Sequence, residues 1–99
     1  MGRPAGDWQL AGFLERLDAW TQAESPEDDL RLLVTAWVMT RYDDPYRGVR
    51  REVGMDNLWF GVVPDSDDGA GHVVVCSYFV NERGRIVVCS GIASLTLPL

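Results

Sequence analysis

The chain contains no lysine; all nine of its basic residues are arginine. A GC-rich coding sequence accounts for such a bias, and Arg forks suited to phosphate or carboxylate are its functional reading. Two cysteines and a single histidine, His72, are too few for a structural zinc site without help from carboxylates. No apolar run approaches the roughly 18 residues of a membrane span, and the opening residues lack a signal-peptide core. Gly2 is not followed at the required spacing by Ser or Thr, since Gly6 stands there with Asp7 after it, so myristoylation is a poor match. These absences predict a cytoplasmic protein with no membrane association, no metal and no small-molecule cofactor. A basic excess is also missing. The net charge is −6, whereas a protein that tracks phosphates needs cations to neutralise them. There is no P-loop, dinucleotide fingerprint or nucleophile-elbow serine.

The 99 residues make one domain, long enough to bury a core. Hydrophobic residues are 46% and charged residues 24%, a globular composition. Residues 8–22 read as a helix, because Leu10, Phe13, Leu14 and Leu17 recur at helical spacing with Trp20 one turn on; Asp7 is its expected N-cap. A second helix starts at Ser25-Pro26-Glu27-Asp28, with Ser25 capping and Pro26 in the first turn. Its apolar stripe runs through Leu30, Leu33, Val34, Trp37 and Val38. Asp43-Asp44-Pro45 ends it. The short linker predicts a helical hairpin over 8–42.

Residues 46–98 read as an antiparallel sheet. Strands are predicted at 57–63, 73–80 and 85–92, the last two joined by a turn in which Gly84 supplies the left-handed position. If Asn81 pairs with Arg85, Val80 faces Ile86, Tyr78 faces Val88 and Val74 faces Ile92, with one apolar face toward the helices. That register sets Cys76 opposite Ser90, sends Cys89 to the other face and predicts no disulfide. The expected fold is thus α+β, a helical hairpin packed on a small antiparallel sheet.

Three constellations could carry chemistry. Asp65, Asp67 and Asp68 suggest a calcium loop, but Gly69 comes one position early and Cys76 stands where the closing Glu belongs, so a solvated hairpin loop is the better reading. Cys76 and His72 share a strand face about 13 Å apart, too far for direct proton transfer. The third is basic: Arg41, Arg47, Arg50 and Arg51 fall within eleven residues, with Tyr42 and Tyr46 among them. Arginines beside aromatic rings suit backbone contact and base stacking, which makes Tyr46, Arg47, Arg50 and Arg51 the candidate nucleic-acid-binding residues. The alternative is a solvated edge balanced by Asp43, Asp44 and Glu52. Of the four tryptophans, Trp20 and Trp37 are expected in the core, and one of each pair around Trp8 and Trp59 could face outward as an interface anchor.

Several stretches, in order, resemble the RelE/ParE superfamily of toxin–antitoxin toxins, and its HigB-like, phage-derived branch in particular. They are the basic linker with Arg47, Arg50 and Arg51; Asp56 to Val63 (DNLWFGVV); Gly71 to Val80 (GHVVVCSYFV); and Gly84 to Pro98 (GRIVVCSGIASLTLP). The family's own strands resemble "GLWELRV", "YRVLYFF" and "RRIVLLHGFVKKTQKTP". The resemblance implies a helical pair on a sheet, metal-independent cleavage of ribosome-bound mRNA and an antitoxin partner. This chain departs from the pattern where the family carries its catalytic cations. Ser90 replaces the His, Ala93, Ser94 and Leu95 replace the Lys-containing segment, and the family's first strand has no counterpart unless Met1 to Ala5 forms it. No catalytic residue is assigned, and the activity implied is weakened or lost. The rival expectation is a small acidic inhibitor that mimics nucleic acid or blocks a basic partner protein, using Glu27-Asp28-Asp29, Asp43-Asp44 and Asp65 to Asp68 as contacts.

Overall fold

A computed structural model describes residues 7–96. The suggested first strand at Met1 to Ala5 and the closing Pro98 lie outside the described residues. Five strands form one sheet in the order β1-β5-β4-β3-β2: β1 Gln9–Ala11, β2 Arg50–Arg51, β3 Leu58–Val62, β4 His72–Asn81 and β5 Ile86–Thr96. Two helices, α1 Phe13–Glu24 and α2 Asp28–Met39, lie between β1 and β2 in the chain. The molecule is α+β, and its shortest dimension is 23 Å, as expected for one helical layer on one sheet.

The sheet is mixed, which corrects the antiparallel expectation. Residues 9–11, read as the first turn of a helix, form a strand parallel to β5, with Gln9 beside Ile86 and Ala11 beside Val88. The Gln9 N–H donates to the Arg85 carbonyl at 2.9 Å. Gly12, at φ 79°, makes the turn into α1, a conformation that a side chain would resist. Leu14, placed on the apolar stripe by its spacing, is exposed. Asp7 does not cap the helix; it pairs with Arg85 at 2.5 Å. Ser25 does not cap α2 either. It closes α1 in a left-handed conformation, its N–H bonded to the Thr21 carbonyl, and Glu27 takes the N-cap position of α2. The predicted stop before Pro45 holds, after a short 3-10 turn at Thr40–Tyr42.

The β4–β5 register also differs from expectation. Asn81 pairs with Ile86, Val80 with Val87 and Tyr78 with Cys89. A bulge then advances the register, so that Ser77 meets Gly91 and Cys76 meets Ile92. Arg85, not Gly84, holds the positive φ of the turn. The extra residue, Ser90, lets Cys89 and Ile92 face the helices together. The predicted inner face of β4 (Val74, Cys76, Tyr78 and Val80) is buried against Phe13, Leu17 and Trp20 of α1 and Val34 and Val38 of α2. Cys89 therefore sits on the same face as Cys76, not the opposite one, and both are free thiols. Their mutual hydrogen bond and burial hold the Cys76 thiol neutral, well above its ordinary range. Trp8 and Trp20 are buried, whereas Trp37 and Trp59 are partly buried at the margin of the core.

Candidate functional site

The basic segment does not gather into one open surface. Arg41 leaves the cluster entirely: it is 2% exposed. Its guanidinium donates to the Arg47 carbonyl (2.7 Å), the Tyr78 hydroxyl (3.1 Å) and Thr40 Oγ1 (2.9 and 3.2 Å), and lies 4.1 Å from the Trp37 ring centroid. The Tyr78 hydroxyl in turn donates to the Pro45 carbonyl. Arg41 thus ties the end of the helical layer to the start of the basic segment and to the middle of β4.

Tyr46 is wedged edge-on between Trp8 (6.0 Å) and Trp59 (4.9 Å), and its hydroxyl is bonded to Glu82. Burial, and then the Glu82 carboxylate, push its pKa up to about 12. The ring is partly buried against the core. Arg47 is exposed and 3.9 Å from Asp44. Arg50 and Arg51 are exposed on β2, opposite Phe60 and Trp59. As neighbours on a strand they point to opposite faces of the sheet. The structure therefore leaves three exposed arginines along one edge without a shared stacking ring. Arg85, the fourth cation of this end, lies 4.1 Å from the centroid of Trp8 and pairs with Asp7 and Glu82.

A second arrangement brings distant residues together. The start of α2 faces the loop between β3 and β4 across a groove of about 750 Å³. Glu27 and Asp29 line one side, Asp65, Asp67 and Asp68 the other, and Pro26, Leu30 and Leu33 supply apolar surface. Among the described residues no arginine lines it. A smaller recess of about 190 Å³ continues it past Asp68 to Glu24 and His72.

The loop is built to hold this shape. Buried Ser66 accepts the Val74 N–H at 3.0 Å, Asp67 accepts the Gly69 N–H at 2.6 Å, and Asp68 accepts the N–H groups of Ala70 (2.8 Å) and His72 (3.1 Å). Asp68 also meets His72 Nδ1 at 2.7 Å. The Ala70 N–H, foremost among these contacts, holds the Asp68 carboxyl below the usual carboxylate range. Among the described residues no three His, Cys, Asp or Glu side chains converge as metal ligands. The carboxylates line a groove rather than surround a point. Each acidic run is visible in the sequence; their meeting across the fold is not, because it depends on where a glycine-containing loop folds back.

The chain matches no protein-family model, no curated protein and no solved structure. The RelE/ParE resemblance accordingly stands on the quoted stretches alone. Among the described residues, no helix is long and apolar enough to cross a membrane.

Proposed function

We propose that the protein is a small acidic binding module that holds a basic segment of a partner protein in the groove between the start of α2 and the β3–β4 loop. The observation that carries this reading is the convergence of five carboxylates from two separate elements on one groove, with no arginine in its lining among the described residues. Lys or Arg side chains fit such a surface in two ways: their charged heads pair with the carboxylates, and their methylene stems lie on Pro26, Leu30 and Leu33. The net charge of −6 adds a long-range attraction for a basic target that speeds encounter and weakens with salt.

The test uses a partner recovered by co-purification from the native host. Its affinity should fall at least tenfold in the Glu27→Gln, Asp29→Asn, Asp65→Asn triple variant and fall steeply between low and physiological salt. An unchanged affinity in the triple variant would remove the groove from the binding surface.

A second reading keeps the toxin-like proposal, with an antitoxin as the partner and ribosome-bound mRNA as the target. The strand β1 ahead of the helical pair favours it, as do the exposed Arg47, Arg50 and Arg51. On this reading Tyr46 positions Trp59 and the basic segment instead of stacking on a base. Labelled mRNA in a translation reaction separates the two proposals. Codon-periodic cleavage that disappears in the Arg47, Arg50, Arg51→Ala variant supports the toxin; binding of a basic partner with no cleavage supports the acidic module.

A further inference from the structure

Both helices lie on one face of the sheet, and among the described residues no helix or strand covers its other face, although Val73 at one end of it is buried. On that face every outward position of the three central strands is uncharged. Val62, Phe79, Val88 and Leu95 are exposed there by 46, 39, 42 and 49%. The chain has 15 acidic residues, yet none of them occupies an outward position on β3, β4 or β5. Exposed apolar surface of this extent and continuity marks an interface.

We infer that a second copy of this chain packs on the outer face of the sheet, face to face, as a two-fold homodimer. Three observations select a second copy.

The first is shape. Leu58, Phe79 and Val88 form one row across the strands, and the next row is Phe60, Ser77 and Gly91, small on β4 and β5. A two-fold axis running across the strands between these rows sets Phe79 of each copy over Ser77 of the other, Val88 over Gly91, and Leu58 against Phe60. On β4 and β5 the ridge fills the trough twice, as an isologous contact requires, and on β3 two apolar side chains meet. Gly91 fits this role because the fold itself does not need it. Among the described residues a Cβ there would meet only Ser77 Oγ, at 3.8 Å, and its backbone is not left-handed. Glycine at such a position leaves room for close approach by another surface.

The second is charge. At the β2 edge, Arg50 pairs with Phe60, and the Glu52 N–H bonds the Leu58 carbonyl at 2.8 Å. These two positions belong to the same two rows, so the two-fold brings Arg50 of one copy toward Glu52 of the other. Elsewhere the surface carries an acidic excess that repels another copy.

The third is area. Strands about 4.8 Å apart, paired over about 17–30 Å, present a face on the order of 400–500 Å². Two copies then bury about 800–1,000 Å², at or just below the lower bound of specific interfaces. The dimer should accordingly be weak, with a dissociation constant on the order of 1–100 μM.

Sedimentation velocity on the purified full chain tests the inference without any partner. From about 1 to 500 μM the mass should move from that of one chain toward two, and added salt should strengthen association by screening the acidic surfaces. Gly91→Glu, whose Cβ would meet Ser77 Oγ at an ordinary contact distance of 3.8 Å, should weaken the dimer at least tenfold, and Val88→Glu should do the same. Hydrogen exchange on the unmodified protein supplies an independent reading. Protection gained on concentration should be confined to β3, β4 and β5. A chain that remains monomeric throughout overturns the proposal. So do protection gained only on the helical side and folded Glu variants that dimerise like the wild type.

Discussion

Arg41 and Tyr78 organise the junction where the helical layer meets the basic segment. The phenol accepts from the guanidinium and donates to the Pro45 carbonyl, so neither polar group is left without a partner in the interior. Such a cation is invisible as a core residue in the sequence, because Arg41 sits beside exposed arginines in an otherwise polar turn. Tyr46, nearby, carries a prediction. Its pKa of about 12 and the raised pKa of Tyr78 both have burial as the leading cause. An unfolded chain releases these protons near pH 10. The stabilisation of the folded state is therefore complete below pH 10 and is lost as pH rises toward 12, where the unfolded chain holds fewer protons than the folded one. Urea unfolding between pH 8 and pH 11.5 should show stability falling with pH above about 10. In Tyr46→Phe the slope should shrink by up to about one proton, with the remainder due to Tyr78. An identical slope in the variant would mean that Tyr46 ionises as freely in the folded state as in the unfolded one.

At the scale of elements, the helices were legible where burial follows the 3.6-residue period. Leu17 and Trp20, like Val34 and Val38, fall where their spacing puts them. The strand β1 was not legible, since three residues have no period of their own and Leu10 and Phe13 fit a helical stripe equally well. What decides is non-local, the pairing offered by β5. The inner face of β4 was readable from its alternation, but the partner register was not. The turn pairs Asn81 with Ile86 rather than with Arg85, and this one-residue shift, which has no local mark, reverses the side to which Cys89 points; the bulge beyond it then shifts the rest of β5. The meaning of Gly61 likewise emerges only from the packing. It pairs with Cys76 on β4, and a Cβ there would lie 2.7 Å from Val49 Cγ1 and 3.1 Å from the Gly48 carbonyl. The segment leading into β2 crosses β3 at this point, and a side chain would push it away. Gly61→Ala should cost about 1–3 kcal/mol in denaturant unfolding, as overpacking does, and should loosen Val49 and β2. A change below about 0.5 kcal/mol would show that the crossing segment moves aside freely.

At the scale of the whole molecule, the acidic groove sets binding against stability. Carboxylates held across a groove repel one another, and this repulsion is relieved when a basic segment arrives or when salt screens it. The free protein should therefore be less stable at low ionic strength than at high. Asp65 isolates the effect, because it lines the groove in a left-handed conformation (φ 64°) that Asn tolerates as well as Asp does. Asp67 and Asp68 are poorer probes, since both accept backbone N–H groups that shape the loop. Asp29 is also poorer, since it stands in the first turn of α2, where negative charge stabilises the helix. Asp65→Asn should raise stability by about 0.3–1 kcal/mol at low salt. The gain should vanish at about 0.5 M salt, where screening has already removed the repulsion. Thermal unfolding of both proteins at the two salt concentrations measures it. A gain that persists at high salt would trace to the backbone conformation rather than to charge, and no gain at either would mean that the groove carboxylates are each solvated independently.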